Sequence, residues 1–323
     1  MSRRRGSPLS RSYQSQLPTW VQMRAAALGE KGAQWMASLD DAVRQLAAQW
    51  DLAVGELFSG GSESLVAHAR LADGRAAVLK IGMPGSADLA VEAKVFTLAA
   101  GRGYAELFAH DPARNAILLE RLGPRLRPSV NSVAAQIHVL CRTLQEAWLP
   151  LDSAHGLMTG AQKAQWLAAF IVEKWHLLGS PCDKKTIATV LAFSEERVAA
   201  YSPDNSVLVH GDAHADNALL FNSAQRDGVL RCKLVDPDGL FAEKACDLAV
   251  LMRDWSDELM AGDTLQLGRA RCELLASLTG VDERSIWQWG LIERVSTGLA
   301  MLEIGMKAEA AATLAVAERL SSG

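Results

Sequence analysis

The sequence predicts an α+β chain of two lobes, a small antiparallel sheet followed by a larger helical body. Three observations carry this. From about residue 50 to residue 122, short apolar runs alternate with Gly-containing turns, which is a strand pattern. From residue 133 onward apolar residues recur at helical spacing, with breaks at Leu149-Pro150 and Ser180-Pro181. Within that helical part, two polar motifs, H-G-D-A-H-A-D-N at 210–217 and L-V-D-P-D-G at 234–239, fall at the tips of short strand patterns.

Taken in order, residues 1–12 read as a flexible leader. Arg3, Arg4, Arg5 and Arg11 lie there, and Arg5 is followed by Gly, Ser and Pro rather than an apolar signal core. Residues 13–122 are expected to form N-terminal helices and the small lobe, and residues 123–323 the large one. In the helical prologue Leu39, Val43, Leu46 and Trp50 share one face, and Ser38 with Asp41 resembles a capping box. Residues 57–70 read as strand, tight turn and strand; the backbone amides of Gly60, Gly61 and Ser62 at the turn suit phosphate oxygens. The apolar run at 76–81 carries one charge, Lys80. An edge-strand lysine facing water would explain it, as would a lysine reaching nucleotide phosphates and a helical glutamate. Glu92, in the helix expected over 88–100, favours the second. The strand at 116–122 stops at Gly123-Pro124, and backbone groups near Glu120 and Leu122 are placed as in a hinge that holds a nucleobase edge. Helices are expected over 133–148, 161–178 and 185–201, then beyond Asp247 with breaks near Gly262 and Gly280.

The chemistry that asks for the two polar motifs is phosphoryl transfer. Its loose transition state needs positioning and charge neutralisation more than covalent help. Asp212 and Asn217 have the spacing of a kinase catalytic loop, one meeting the acceptor hydroxyl and the other a magnesium ion, with Asp236 holding the metal from the next strand. Hard Mg2+ takes oxygen donors, so Asn217, Asp236 and nucleotide phosphates suffice. Carboxylates in such segments also cap turns, and Asp216 either faces the acceptor or does that. His210 reads as a hydrogen-bond donor that locks the loop.

Composition narrows the partners. The 323 residues are 49% hydrophobic, enough to bury a large core. The chain carries −4 overall and −8 outside residues 1–12, which argues against nucleic acid and suits a cationic acceptor. Five cysteines without C-x-x-C indicate neither zinc nor a disulfide framework and fit a reducing cytoplasm. No run of eighteen apolar residues suggests a membrane span. The carboxylates Asp254, Asp257, Glu258, Asp263, Asp282, Glu283, Glu293 and Glu303 read mostly as solvated helix faces, a few as lining of the acceptor site. Trp255, Trp287 and Trp289 are either core or acceptor-stacking residues.

The ordered set Gly60-Gly61, Lys80, Glu92, L-L-E-R-L, H-G-D-A-H-A-D-N and V-D-P-D-G resembles the aminoglycoside phosphotransferase family over almost the whole chain. L-P-T-W at 17–20, Q-W at 34–35, Q-W-D-L at 49–52 and the Asp236-Pro237-acid pattern are most similar to its branch of streptomycin 6-phosphotransferases and hydroxyurea phosphotransferases. The resemblance implies a protein-kinase-like fold and an ATP- and Mg2+-dependent antibiotic kinase. It implies Asp212 as base or hydroxyl-orienting group, His214 beside the transferred phosphate, Asn217 and Asp236 as metal ligands, and Asp247 as a support of the catalytic loop. The family's G-D-P ahead of that last aspartate is here Ala242-Glu243-Lys244. An aminoglycoside such as streptomycin is the acceptor this implies; a sugar amine, homoserine, choline or a methylthio-sugar stays open, as does a silent nucleotide-binding module.

Overall fold

The computed structural model describes residues 12–59, 63–85, 89–221 and 229–322. Of the leader only Ser12 is among them, and the Gly60-Gly61-Ser62 turn lies outside them. The chain divides into two compact units: residues up to Gly101 with Ala105–Arg121, and Arg102–Tyr104 with the chain from Leu122 onward.

The first unit runs α1 (Tyr13–Gln16), α2 (Thr19–Ala27), α3 (Glu30–Gln49), β1 (Leu52–Leu57), β2 (Ser64–Leu71), β3 (Ala76–Gly82), α4 (Leu89–Ala99), β4 (Leu107–Asp111) and β5 (Ala116–Glu120). Its five strands form one antiparallel sheet in the order β1-β2-β3-β5-β4. Leu39, Val43 and Leu46 share one face of α3 and pack into a core with Leu65, Ala67, Leu79 and Ile81 of the sheet. Ser38 is not a helix cap. Helix α3 begins eight residues earlier, after Gly29 turns the chain at φ 58°, and the Ser38 hydroxyl donates to the Trp35 carbonyl inside the helix at 2.8 Å. The first strand also starts at Leu52 rather than residue 57, and β4 had no signal in the sequence. Being an edge strand with mostly half-buried residues, β4 lacks a clear apolar alternation.

The second unit contains α5 (Leu126–Ser129), α6 (Val133–Ala147), β6 (Leu149–Pro150), β7 (Met158–Thr159), α7 (Gly160–Leu177), α8 (Lys184–Ala199), β8 (Val207–Val209), β9 (Ala218–Leu220), β10 (Cys232–Leu234), β11 (Leu240–Ala242), α9 (Ala245–Arg253), α10 (Ser256–Met260), α11 (Thr264–Thr279), α12 (Glu283–Glu303) and α13 (Lys307–Leu320). Side-chain caps start several of these helices: Asp183, Asp263 and Asp282 each accept the amide three residues on, and Thr159 with Gln162 forms a capping box. Helix α12 is the hub, packing on α7, α8, α9, α11 and α13.

Two small sheets frame the loops that matter. Strands β9 and β10 pair antiparallel, Ala218 opposite Leu234, and β8 pairs with β11, Val209 opposite Leu240. All five cysteines are free and buried. Burial pushes Cys141, Cys232 and Cys272 up to about 12 and Cys182 to about 11, and raises Cys246 well above the usual thiol value. Among the described residues no helix is long and apolar enough to cross a membrane.

Candidate active site

Residues 210–217 form the loop from β8 to β9, and residues 235–239 the loop from β10 to β11. Because each loop joins strands that pair with those of the other, the sheets bring the loops side by side. Backbone bonds complete the contact: Val235 N–H donates to the Asn217 carbonyl at 2.9 Å and Gly239 N–H to the His210 carbonyl at 3.0 Å. His210 donates from Nε2 to the Val235 carbonyl at 2.8 Å and accepts the Asp212 amide at Nδ1, so its imidazole clamps the two loops together. Gly211 adopts φ 89°, and a Cβ there would stand 2.8 Å from Cβ of Asp238; the H-G-D sequence thus needs its glycine for both conformation and space.

Beneath this loop Asp247 is fully buried on the first turn of α9. Its Oδ1 accepts Gly211 N–H at 2.7 Å, and its Oδ2 accepts His210 N–H at 3.0 Å and Trp148 Nε1–H at 2.9 Å. Burial raises its pKa against these hydrogen bonds.

Asp212 carries a more elaborate environment. Arg253, the last residue of α9, donates to its Oδ1 at 2.7 Å, and His214 Nε2 lies 3.4 Å from its Oδ2. Burial alone would raise the Asp212 pKa, but the hydrogen bond from His214 and the charge of Arg253 hold it well below the usual carboxylate range. Burial and the charge of Arg253 pull the His214 pKa down, but the hydrogen bond and charge of Asp212, with the charge of Asp254, raise it; its Nδ1 accepts the Asp216 amide at 3.2 Å. Asn217 donates from Nδ2 to the Asp212 carbonyl at 3.0 Å, an assignment fixed because a carbonyl can only accept; the amide oxygen is thereby its remaining polar group. Asp236, exposed, sits at φ 56° directly after Val235. These two oxygen donors, with no sulfur or imidazole, fit a hard cation.

A cavity of about 750 Å3 opens beside Asp212 and His214. Its carboxylates are Asp212, Asp216, Asp254, Asp257, Glu258 and Glu309, against the guanidinium groups of Arg127 and Arg253. Arg127 bridges Asp216 and Asp254, the latter at 2.7 Å, and Glu258 pairs with Arg271; no described residue pairs with Asp257 or Glu309. Trp255, also lining the cavity, takes the left-handed conformation at φ 55° between the guanidinium groups of Arg127 and Arg271, 5.6 and 5.5 Å from its ring centre. Behind it Arg294, with no exposed surface, donates to the Met252 carbonyl and the Ser256 hydroxyl and is pushed down to about 9 by burial and by nearby Arg271. Trp289 is core, donating to Glu243, and so does not stack on an acceptor.

In the first unit Lys80 Nζ lies 2.6 Å from Glu92 Oε1, both side chains nearly buried, with Glu92 in the first turn of α4. The Glu120 amide donates to the Glu106 carbonyl at 2.8 Å, and the Glu120 carboxylate accepts the Glu106 amide. Leu122, half-buried, begins the second unit.

Sequence reasoning passed over Arg253, Arg127, Lys163 and Arg294. A signal existed for Lys163: it falls on the buried face of α7 with Ala164, Leu167 and Ile171, where a solvated lysine would not.

The chain is 29% identical to the streptomycin 6-kinase of Streptomyces glaucescens over 91% of its own length and 94% of that protein, and equally identical to the streptomycin 6-kinase of Streptomyces griseus over 91% and 92%. A choline kinase from Streptococcus pneumoniae superposes with a TM-score of 0.57 at 12% identity, covering 87% of this chain and 97% of that one, which identifies the protein-kinase-like α+β fold. Residues 49–305 match the aminoglycoside/hydroxyurea antibiotic resistance kinases, and the chain belongs to that family.

Proposed function

We propose that the protein is an ATP- and Mg2+-dependent O-phosphotransferase that inactivates a streptomycin-type aminoglycoside by moving the γ-phosphate to one of its hydroxyls. The observation that carries this is the acidic cavity beside Asp212: it is large enough for a cationic polyol and holds six carboxylates against two arginines. The names of the streptomycin 6-kinase relatives support the same acceptor.

With Oδ1 engaged by Arg253, Asp212 would accept the acceptor hydroxyl at Oδ2 and align its oxygen on the γ-phosphorus. A carboxylate held so far below its usual range is a weak base. It would orient the hydroxyl first and take the proton only as the new O–P bond forms and the bond to the bridging oxygen breaks. His214, beside Asp212, would stabilise charge on the transferred group. Asn217 and Asp236 would hold Mg2+, which neutralises phosphate charge. Lys80, kept straight by Glu92, would bind the nucleotide phosphates, helped by the amides of Gly60, Gly61 and Ser62, with backbone near Glu120 and Leu122 for the adenine. A reducing cytoplasm, where ATP is held, suits five unpaired thiols.

The test is incubation of purified protein with ATP, Mg2+ and streptomycin, followed by mass analysis. A gain of one phosphate, abolished in Asp212→Ala with ATP binding retained, is expected. Transfer to choline or a methylthio-sugar but not to any aminoglycoside would refute the acceptor assignment, and undiminished transfer by Asp212→Ala would refute the role of the aspartate.

A further inference from the structure

Glu293 is a carboxylate on the hub helix α12 with 4% of its surface exposed, too far inside to be a solvated helix face. Two cations converge on it. Lys163 Nζ lies 3.7 Å from its Oε1, and Arg253 Nη1 lies 3.6 Å from its Oε2. Each cation also reaches one of the two loops described above: Arg253 donates to Asp212 at 2.7 Å, and Lys163 lies 3.8 Å from Asp238, two residues beyond Asp236. The charges alternate along the chain of contacts from Asp212 through Arg253, Glu293 and Lys163 to Asp238. The cluster joins α7, α9 and α12 to both loops within one unit. A nearly buried lysine and arginine without Glu293 would repel each other and turn toward the loop carboxylates, displacing both.

We propose that Glu293 is a positioning residue for phosphoryl transfer: by holding Arg253 and Lys163 in place it fixes the Asp212 carboxylate and the 235–239 loop relative to each other. The role rests on the phosphotransferase reading above. Glu293 touches neither substrate nor metal and acts only through the two cations. Its contacts of 3.6–3.7 Å are charge contacts rather than close hydrogen bonds, so the charge is what the site requires.

The experiment compares Glu293→Gln, Glu293→Asp, Arg253→Met and the double variant Arg253→Met/Glu293→Gln in the full chain. Glu293→Gln is expected to lower kcat by about 10–100-fold, as loss of outer-shell partners does, while KM for ATP and acceptor stays within about 3-fold. Glu293→Asp, which keeps the charge, restores most of the rate. In the double variant the second change lowers kcat by less than it does alone, because Arg253 is already gone and only the Lys163 contact remains to be lost. Urea unfolding of the same set without nucleotide or magnesium gives a second readout. Coupling between the two positions should shift the unfolding equilibrium constant by more than about 3-fold from additivity. Wild-type kcat in Glu293→Gln, Glu293→Asp as slow as Glu293→Gln, or strict additivity in both measurements overturns the inference while the reaction stands. A wild-type protein that phosphorylates no acceptor removes the reaction and the positioning role together.

Discussion

Replacing Asp247 by alanine isolates the support beneath the 210–217 loop. The carboxylate accepts three hydrogen bonds, from the amides of His210 and Gly211 and from the Trp148 indole, at 2.7–3.0 Å and with no exposed surface. Each buried donor left without an acceptor costs about 1–3 kcal/mol, which puts the three at about 3–9 kcal/mol. A water entering the vacated space would satisfy some of them, so the lower part of that range, about 3–5 kcal/mol, is the expected loss. Asp247→Asn keeps one oxygen but turns an N–H toward a donor, and should lose about 2–4 kcal/mol. Urea unfolding followed by the fluorescence of the nine tryptophans measures this. Asp263→Ala, an exposed cap of α11, is the control at about 1 kcal/mol. Because two of the lost bonds lie one and two residues before Asp212, kcat measured well below the unfolding midpoint should fall too. A loss under about 1 kcal/mol for Asp247→Ala, no larger than the control, would refute the account.

Further expectations follow from the same contacts. Gly211→Ala forces a Cβ against Asp238 at a positive φ and should destabilise by about 1–3 kcal/mol and lower kcat more than any KM; equal activity would show that the loop does not need glycine. Glu92→Gln leaves the nearly buried Lys80 with a neutral partner, raising KM for ATP and lowering stability by about 1–3 kcal/mol in thermal or urea unfolding. His214 has a folded pKa raised above its unfolded value near 6.5, so its contribution is complete below that pH and lost as pH rises through the folded value. The stability gap between wild type and His214→Asn should therefore be widest in mild acid and close toward alkaline pH, and a gap that widens instead would contradict the ion pair with Asp212. Trp255, lining the cavity between two guanidinium groups, should report acceptor binding as a change in fluorescence that Trp255→Phe removes.

The motifs at 210–217 and 234–239 were legible because their residue types serve few other ends at that spacing, and strand patterns on either side said they were loops. Lys80 and Glu92 were legible as charges in apolar surroundings, and the structure pairs them at 2.6 Å. The cations around Asp212 were not. Arg253 stands beside Asp254 in sequence and Arg127 between Leu126 and Pro128, and only the folded chain reveals which carboxylate each one meets. Glu293 was read with the solvated carboxylates because its neighbours in α12 are buried nearly all round, so no polar stripe marks which side faces out. Asp263 and Asp282, from the same set, are helix caps, whereas Asp254, Asp257 and Glu258 line the cavity.

The five buried thiols have a practical consequence. Held protonated by burial at neutral pH, they are poor nucleophiles toward maleimides and iodoacetamides. A cysteine introduced at Leu177, which is 68% exposed at the end of α7, would be the fast-reacting thiol of the chain. A single spin label or fluorophore could then be attached without first removing the native cysteines, and the labelled protein would keep every packing contact those side chains make.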